Sequence, residues 1–164
     1  MAKKRPQANL PSILDEGFRD PAGFPIAPVL KHALSQARQE FNPAVCLLRG
    51  MWNCDREEAG VFLIGLLLTC GDNWEKRRIV ASALCDVQTE ACIRVLFDEV
   101  RRVKSRNETR RYLREVIGVL SCMPTKLVHR GFEELAGARC LAPQIQAKVE
   151  AALDDVTYRQ QHGY

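Results

Sequence analysis

The sequence predicts an all-α protein built from antiparallel helix pairs that stack into a short α-solenoid. Apolar residues recur at three- and four-residue spacings along most of the chain, and no alternating segment is long enough to require a strand. The helix–turn–helix pattern of residues 72–100 also recurs about 35 residues later, in residues 107–135, which is typical of stacked repeats. The alternative architecture is a compact helical bundle, in which similar helices pair without forming a superhelix.

Eight helices joined by short turns are expected, and such short connections make consecutive helices antiparallel neighbours. Their predicted ranges pair as 28–41 with 44–52, 57–70 with 74–85, 89–103 with 107–122, and 125–136 with 143–156. Together they form a single helical repeat domain at residues 26–158. Residues 1–25 are rich in proline and glycine and are expected to form a flexible or draped arm, while residues 159–164 form a frayed C-terminus.

Proline and glycine set the predicted ends of the first helices. Pro28 suits the first turn of a helix, and Asn42-Pro43 is expected to end that helix. Glu57 opens a helix with acidic residues in its first turn, where they favour the helix dipole, and Gly71 follows its end. The apolar run 61–70 of this helix is about half of what crosses a bilayer, so it predicts a helix buried on several sides.

Polar residues are expected to cap the later helices, because their side chains accept hydrogen bonds from free backbone N–H groups. Asp72 or Asn73 precedes one helix, Thr89 precedes the next, and Asn107 precedes the third. Pro143 opens the last helix, where a first-turn proline is tolerated.

Composition narrows the class of protein. The 164 residues are enough to bury a hydrophobic core without disulfides or metals, and the formal net charge of +4 does not by itself indicate a nucleic-acid partner. The seven cysteines form no CxxC pair and are odd in number, which favours reduced thiols buried in helices and a cytoplasmic protein. No apolar segment of signal-peptide length follows the N-terminus.

Parts of three helix pairs share one motif. In the first of these pairs the matching residues are Asp72, Trp74, Arg77, Val80, Ala83 and Leu84. The next pair matches at Leu113, Arg114, Ile117 and Leu120, and the last keeps Ile145, Val149, Ala152 and Leu153 with Gln146 in place of the arginine. These residues resemble HEAT-like repeats of the short type known from phycobilisome lyases, over residues 57–155. Lys76 departs from the pattern, because an aliphatic residue is usual there.

The resemblance implies structural work for the motif residues. In such repeats the arginine joins a network with an acidic or amide residue at the helix start, so Arg77 and Arg114 are expected to be structural. Some HEAT-like proteins look like DNA glycosylases for alkylated bases, and Trp74, Asp72 and Arg78 would be the counterparts of their site. Phycobilin lyase activity is a second precedent, although no residue here identifies a pigment site.

The expected function is that of a non-catalytic protein-binding adaptor or scaffold. The predicted partner-binding residues are Glu75, Arg78, Arg94, Arg101, Arg102, Arg106, Arg110 and Arg111. Most of them belong to a basic segment, residues 94–111, and arginine forks suit carboxylate and phosphate groups. The alternative is an ordinary solvated face, because Asp98, Glu99, Glu108 and Glu115 are interleaved with these arginines.

Three kinds of partner follow from these residues. A protein with an acidic segment is the first choice, and nucleic acid is the second, since only Tyr112 offers a ring near the basic segment. Self-association through an exposed Trp52, Phe24 or Val61 is the third, and no membrane partner is expected.

Catalytic signals are weak. The three histidines lie far apart in the sequence, and the chain contains no HExxH, GxSxG or phosphate-binding glycine loop. No enzyme activity, cofactor or metal is therefore predicted.

Overall fold

The computed structural model describes residues 13–35, 38–138 and 141–163, and these ranges are helical without any strand, as the all-α prediction requires. Their helices are α1 (Ile13–Arg19), α2 (Ile26–Leu34), α3 (Arg38–Trp52), α4 (Glu57–Thr69), α5 (Trp74–Ala83), α6 (Glu90–Arg102), α7 (Arg110–Ser121), α8 (Thr125–Gly137) and α9 (Pro143–His162). A short 3-10 turn at Leu84–Asp86 follows α5. Residues 1–12 of the predicted arm, Cys140 and Tyr164 lie outside the described residues.

Helices that are neighbours in the chain pack together within each predicted pair, α2 with α3, α4 with α5, α6 with α7, and α8 with α9, and α3 also packs extensively on α4. The second helices of these pairs also contact one another in order, α3 with α5, α5 with α7, and α7 with α9. On the other side α2 contacts α4 and α6 contacts α8, while α1 packs on α2 and α3 through the buried Leu14. One apolar core, which includes Leu48, Leu84 and Ile117, runs through the described chain.

Several predicted helix ends are confirmed. Asn73 caps α5, since its Oδ1 accepts a hydrogen bond from the Lys76 backbone N–H at 3.0 Å. Thr89 caps α6 in the same way, with its Oγ1 accepting from the Cys92 N–H at 3.2 Å. Gly71 follows α4 with φ of 54°, the left-handed conformation that favours glycine.

The predicted break at Asn42-Pro43 is wrong. Helix α2 ends at Leu34, because Ser35 has an extended backbone. Helix α3 then runs from Arg38 through Pro43 to Trp52. Pro43 lies within the second turn of α3, so its ring removes one backbone hydrogen bond, and the buried Phe41 and Leu48 on either side offset that cost.

Two further predicted boundaries are corrected. Asn107 does not cap α7, because the helix begins at Arg110 after Thr109, whose Oγ1 accepts from the Arg106 N–H and donates to the Lys104 carbonyl. The last helix continues beyond its predicted end near residue 156 to His162. Arg159 ties this extension down by donating to the Ser121 carbonyl of α7 and to Asp155.

The apolar run 61–70 is not covered on several sides as predicted. One side of α4 is buried through Ala59, Leu63 and Leu67, whereas Val61 is 68% exposed and Leu68 is 52% exposed on the other. No helix in the described ranges is long and apolar enough to span a membrane.

The predicted burial of the cysteine thiols is wrong for most of the described cysteines. Six of the seven cysteines are described and all six are free, but only Cys92 is fully buried. Burial raises the pKa of the Cys92 thiol to about 12. Cys46, Cys54 and Cys122 are exposed, because each lies on a solvent-facing side of its helix or in a turn.

Candidate functional site

An open groove of about 800 Å³ crosses the surface formed by α3, α5, α7 and α9, and we call it the cationic groove. Its residues are Arg49, Ser82, Cys85, Arg111, Arg114, Glu115, Gly118, Val119, Cys122, Gln144, Ala147 and Lys148. The size lies in the range of ligand-binding clefts in proteins. The row of second helices therefore carries a recess in its surface.

Helical spacing explains why α7 contributes most to the cationic groove. Arg111, Arg114, Gly118 and Cys122 follow one another at three- and four-residue steps, so they share one face of the helix. The remaining sides of α7 are buried, for example at Leu113. Burial of the apolar stripe thus turns this face outward.

Positive charge dominates the cationic groove. Within the described ranges, Arg111, Arg114 and Lys148 form no ion pair with a carboxylate. Arg49 is paired with Asp86, and this contact holds the pKa of the Asp86 carboxyl below its usual range. Glu115, a carboxylate of the groove lining, lies 3.7 Å from Arg78 and is thereby partly neutralised.

Small side chains make the cationic groove accessible. Gly118 lies in the interior of α7, and a Cβ added to it would meet no heavy atom within 4 Å apart from the helix's own backbone. By contrast, a Cβ on Gly60 would lie 2.6 Å from the Trp52 ring. Internal packing therefore explains the glycine at position 60 but not the one at position 118.

The predicted partner-binding residues do not lie together on one surface of the structure. Of Glu75, Arg78, Arg94, Arg101, Arg102, Arg106, Arg110 and Arg111, only Arg111 lines the cationic groove. Arg78 is occupied by Glu75 at 2.8 Å within its own helix. Arg94 is exposed on α6 and forms no ion pair in the described part of the chain.

The other arginines of the 94–111 segment are largely neutralised. Arg101 contacts both Asp98 and Glu134 at 3.1 Å, and Arg102 pairs with Glu99. Arg106 lies 3.8 Å from Glu108, and the half-buried Arg110 donates to the Asn107 side chain. The basic segment is therefore not one continuous patch.

A buried charge network stands at the centre of α5, α6 and α7. Arg77 is 6% exposed, and its guanidinium lies 2.7 Å from Oε2 of Glu99, which is 1% exposed. The Tyr112 hydroxyl donates to the same oxygen at 2.6 Å, and Arg102 reaches the other oxygen. Burial and the neighbouring Glu99 raise the pKa of Tyr112 far above its usual range, so the phenol stays protonated as a donor.

The structural role predicted for Arg77 is confirmed by this network, in which the guanidinium also stacks near the rings of Trp74 and Tyr112 and donates to the Gly71 carbonyl. The same role predicted for Arg114 is wrong, because Arg114 is exposed in the cationic groove. Glu99 pairs with Arg77, whereas no carboxylate among the described residues forms an ion pair with Arg114.

The residues compared with an alkylated-base glycosylase do lie together. Asp72, Trp74 and Arg78 line one open cavity of about 650 Å³. However, the Arg77 guanidinium lies 5.1 Å from the centre of the Trp74 ring, and Arg78 is already paired with Glu75. No group of three or more histidine, cysteine or acidic side chains among the described residues is placed to hold a metal ion.

The sequence did not indicate that Arg49 of α3 and Lys148 of α9 line the cationic groove. It also did not lead us to predict the hydrogen bond between Glu99 and Tyr112. The sequence did hold one signal for the contact, since a glutamate on the apolar side of α6 interrupts the run from Leu96 to Val100. It held no comparable signal for Arg49 or Lys148, because exposed cations on helices are common.

Comparison of the chain with protein-family models, with curated protein sequences and with solved structures gives no match.

Proposed function

We propose that this chain is a non-catalytic binding protein, a short HEAT-like α-solenoid whose cationic groove holds an acidic segment of a protein partner. One observation carries the proposal: three cations that form no ion pair within the described residues surround a groove of small side chains on the row of second helices. Stacked repeats generally present such a row as their binding surface.

The pattern of helix contacts supports the solenoid over the compact bundle. Each second helix contacts the second helix of the neighbouring pair, and α9 packs on α7 and α8. In the described residues no extensive contact joins α9 to α2 or α3, which a closed bundle would need. An open row leaves the surface of α3, α5, α7 and α9 accessible to a partner.

The chemistry of the cationic groove favours carboxylates. Arg111 and Arg114 are one helical turn apart on α7, and a guanidinium binds a carboxylate through two parallel hydrogen bonds. Lys148 adds a third positive charge from α9. A glutamate- or aspartate-rich segment lying along the groove would satisfy all three.

Protein is favoured over nucleic acid because, among the residues that the structure describes, no aromatic side chain lines the groove for a base to stack on. Nucleic-acid binding is therefore the alternative outcome of the test below.

The test uses a fluorescent oligoglutamate peptide as the probe and compares two variants of equal charge. Arg111→Glu with Arg114→Glu reverses the cationic groove, and Arg94→Glu with Lys126→Glu reverses two exposed cations on α6 and α8. Each pair takes four units of positive charge from a chain of formal net charge +4. The groove variant should bind the peptide at least about tenfold more weakly, while the matched variant stays near wild type. If both variants lost the same amount of affinity for the peptide, the groove would not be the binding site.

A duplex oligonucleotide of matched charge serves as the second probe. If phosphate contacts dominated, its affinity would exceed that of the peptide and would fall log-linearly with salt. That result would replace the protein partner with nucleic acid.

A further inference from the structure

The cationic groove changes character along α7. Arg111 and Arg114 lie in the first two turns of this helix, whereas Gly118 and Cys122 follow Arg114 by four and eight residues. Residues four apart are neighbours on the surface of a helix. The part of the groove that α7 lines is therefore charged near the start of the helix and uncharged towards its end.

The uncharged part of the groove continues onto the end of α5. Ser82 and Cys85 line it there, and Cys85 lies close enough to Cys122 for a charge on one thiol to act on the other. Burial, and then the hydrogen bond that its Sγ donates to Asp86 at 3.2 Å, raise the pKa of the Cys85 thiol, which therefore stays neutral. A neutral thiol behaves as a small apolar group. We call Ser82, Cys85, Gly118 and Cys122 the neutral floor.

Gly118 lies where the cationic part of the groove meets the neutral floor, and its presence has no internal cause. A Cβ at this position would meet no heavy atom within 4 Å apart from the helix's own backbone. Glycine in a helix interior weakens the helix but allows another group to approach the backbone closely. Since Arg111 and Arg114 form no ion pair within the described residues, the space above Gly118 adjoins two cations that are available to a partner.

The spacing on α7 matches that of an extended peptide. From Arg114 to Gly118 the helix rises about 6 Å, and two residues of an extended chain advance about 6.6 Å with both side chains on the same face. A segment that places a carboxylate on Arg114 therefore places the side chain two residues away above Gly118. A second carboxylate there would lose hydration without meeting a cation, whereas an apolar side chain would leave water at no such cost.

We infer that the partner segment held by the cationic groove has the pattern acidic–x–apolar, with its apolar side chain packed against the neutral floor above Gly118. This inference rests on the proposed groove function and deepens it, because it states the sequence class of the segment. Gly118 is the specificity-determining residue, since a bulky side chain there would occupy the space that the apolar group takes. A purely acidic segment would use only Arg111, Arg114 and Lys148.

Three fluorescent peptides of equal length and charge test the pattern on the full chain. Leu-Ser-Glu-Glu-Glu-Glu-Ser-Leu carries leucine two positions from a glutamate at both ends, so it fits either chain direction. Its dissociation constant should be about tenfold lower than that of Ser-Ser-Glu-Glu-Glu-Glu-Ser-Ser, because the leucine side chain leaves water. The isomer Ser-Leu-Glu-Glu-Glu-Glu-Leu-Ser controls for spacing and should bind like the serine peptide. Equal affinity of all three peptides overturns the inference, and an isomer that binds as tightly as the first peptide overturns the spacing.

A substitution at Gly118 tests the position of the apolar side chain. Gly118→Leu fills the space above the neutral floor and should abolish the tenfold preference for the first peptide. Gly65→Leu is the matched control, because Gly65 also lies inside a helix, on α4, with no heavy atom near an added Cβ. This control should keep the wild-type preference, and circular dichroism checks that both variants are folded. A preference that survives Gly118→Leu contradicts the assignment of Gly118.

Thiol alkylation locates the apolar side chain without any substitution. With about nine-tenths of the chain bound to the first peptide, N-ethylmaleimide should modify Cys122 roughly tenfold more slowly, because mainly unbound chain reacts. Cys54, which is exposed in the turn after α3, is the internal control and should react at its usual rate. Unchanged reactivity of Cys122 would show that the apolar side chain does not lie on the neutral floor.

Failure of this inference and failure of the groove function give different results. If the serine and leucine peptides bind equally and both lose affinity in Arg111→Glu with Arg114→Glu, the groove function stands and the apolar position is wrong. If neither peptide loses affinity in that double variant, the groove function itself is wrong.

Discussion

Arg77 of α5 and Arg114 of α7 hold the same motif position in two successive helix pairs, yet their surroundings are opposite. Arg77 is 6% exposed and bound to Glu99, while Arg114 points into the open cationic groove. The difference lies in the adjoining helix, because α6 supplies a buried carboxylate next to Arg77. A motif arginine thus becomes structural only where a neighbouring helix provides its counter-charge.

The buried network and the exposed groove have different roles: the network stabilises the fold, and the groove is available for binding. The network of Arg77, Glu99 and Tyr112 holds three helices in one register, since a buried charge needs all its partners in place. The cationic groove contributes little to folding, because Arg111, Arg114 and Lys148 are exposed to solvent. Four predictions test this division, in order of expected effect.

Removing the buried arginine should have the largest effect. Arg77→Met removes the buried cation that pairs with Glu99 and should lower the free energy of unfolding by about 3–5 kcal/mol. Arg114→Met is the matched change in the cationic groove and should stay within about 0.5 kcal/mol of wild type. Urea denaturation of both variants measures the difference. Similar losses would contradict the division between network and groove.

The tyrosine should have an intermediate effect. Tyr112→Phe removes a hydroxyl that donates to the Glu99 carboxylate, so we expect a loss of about 1.5–3 kcal/mol in the free energy of unfolding. A double-mutant cycle with Arg77→Met should show coupling, because both groups bind the same Glu99 oxygen. Additive losses would mean that the network does not act as a unit.

Gly131 and Gly118 allow the same comparison for packing, because one is in a crowded site and the other is in open space. A Cβ on Gly131 would overlap the Phe97 ring, which is itself packed edge-on against Phe132 at 5.3 Å, so Gly131→Ala should cost about 1–3 kcal/mol. Gly118→Ala fills open space in the cationic groove and should stabilise the chain by about 0.5–1 kcal/mol through helix propensity. Thermal unfolding should therefore move in opposite directions for the two variants.

The smallest effect concerns acid. Arg49 lowers the pKa of Asp86, so this pair stabilises the fold above the ordinary carboxyl pKa and loses that contribution as the pH falls through the lowered value. Because Arg49 is 43% exposed, solvent screens the pair, and we expect it to contribute about 0.5 kcal/mol or less to the free energy of unfolding. Wild type should lose slightly more stability than Asp86→Asn between about pH 5 and pH 2. Identical acid profiles would show that the pair contributes nothing.

Local signals in the sequence explain which parts of the fold were predictable. Asn73, Thr89 and Gly71 act within a few residues of themselves, and all three were placed correctly. Pro43 misled the prediction because its local preference for a helix end is outweighed by burial of the α3 residues around it. Asn107 failed as a cap because the competing hydrogen bonds of Thr109 close the turn instead.

The candidate site was harder to predict because it is assembled from distant residues. Arg111 was identified, but Arg49 and Lys148 lie far from it in sequence and reach the cationic groove only through the contacts of α3 and α9 with the intervening helices. The neighbouring arginines were also expected to act together, whereas Asp98, Glu99 and Glu134 pair with them.

The sequence by itself determined the all-α class, the packing of helices that follow one another in the chain, and the caps of α5 and α6, since periodicity and capping depend on residues a few positions apart. Only the tertiary structure decided that Arg77 is buried, that Arg114 is exposed, and that α4 keeps an apolar side uncovered. Those outcomes depend on which side chain of another helix lies opposite, a relation between residues that are neighbours in space and not in the chain.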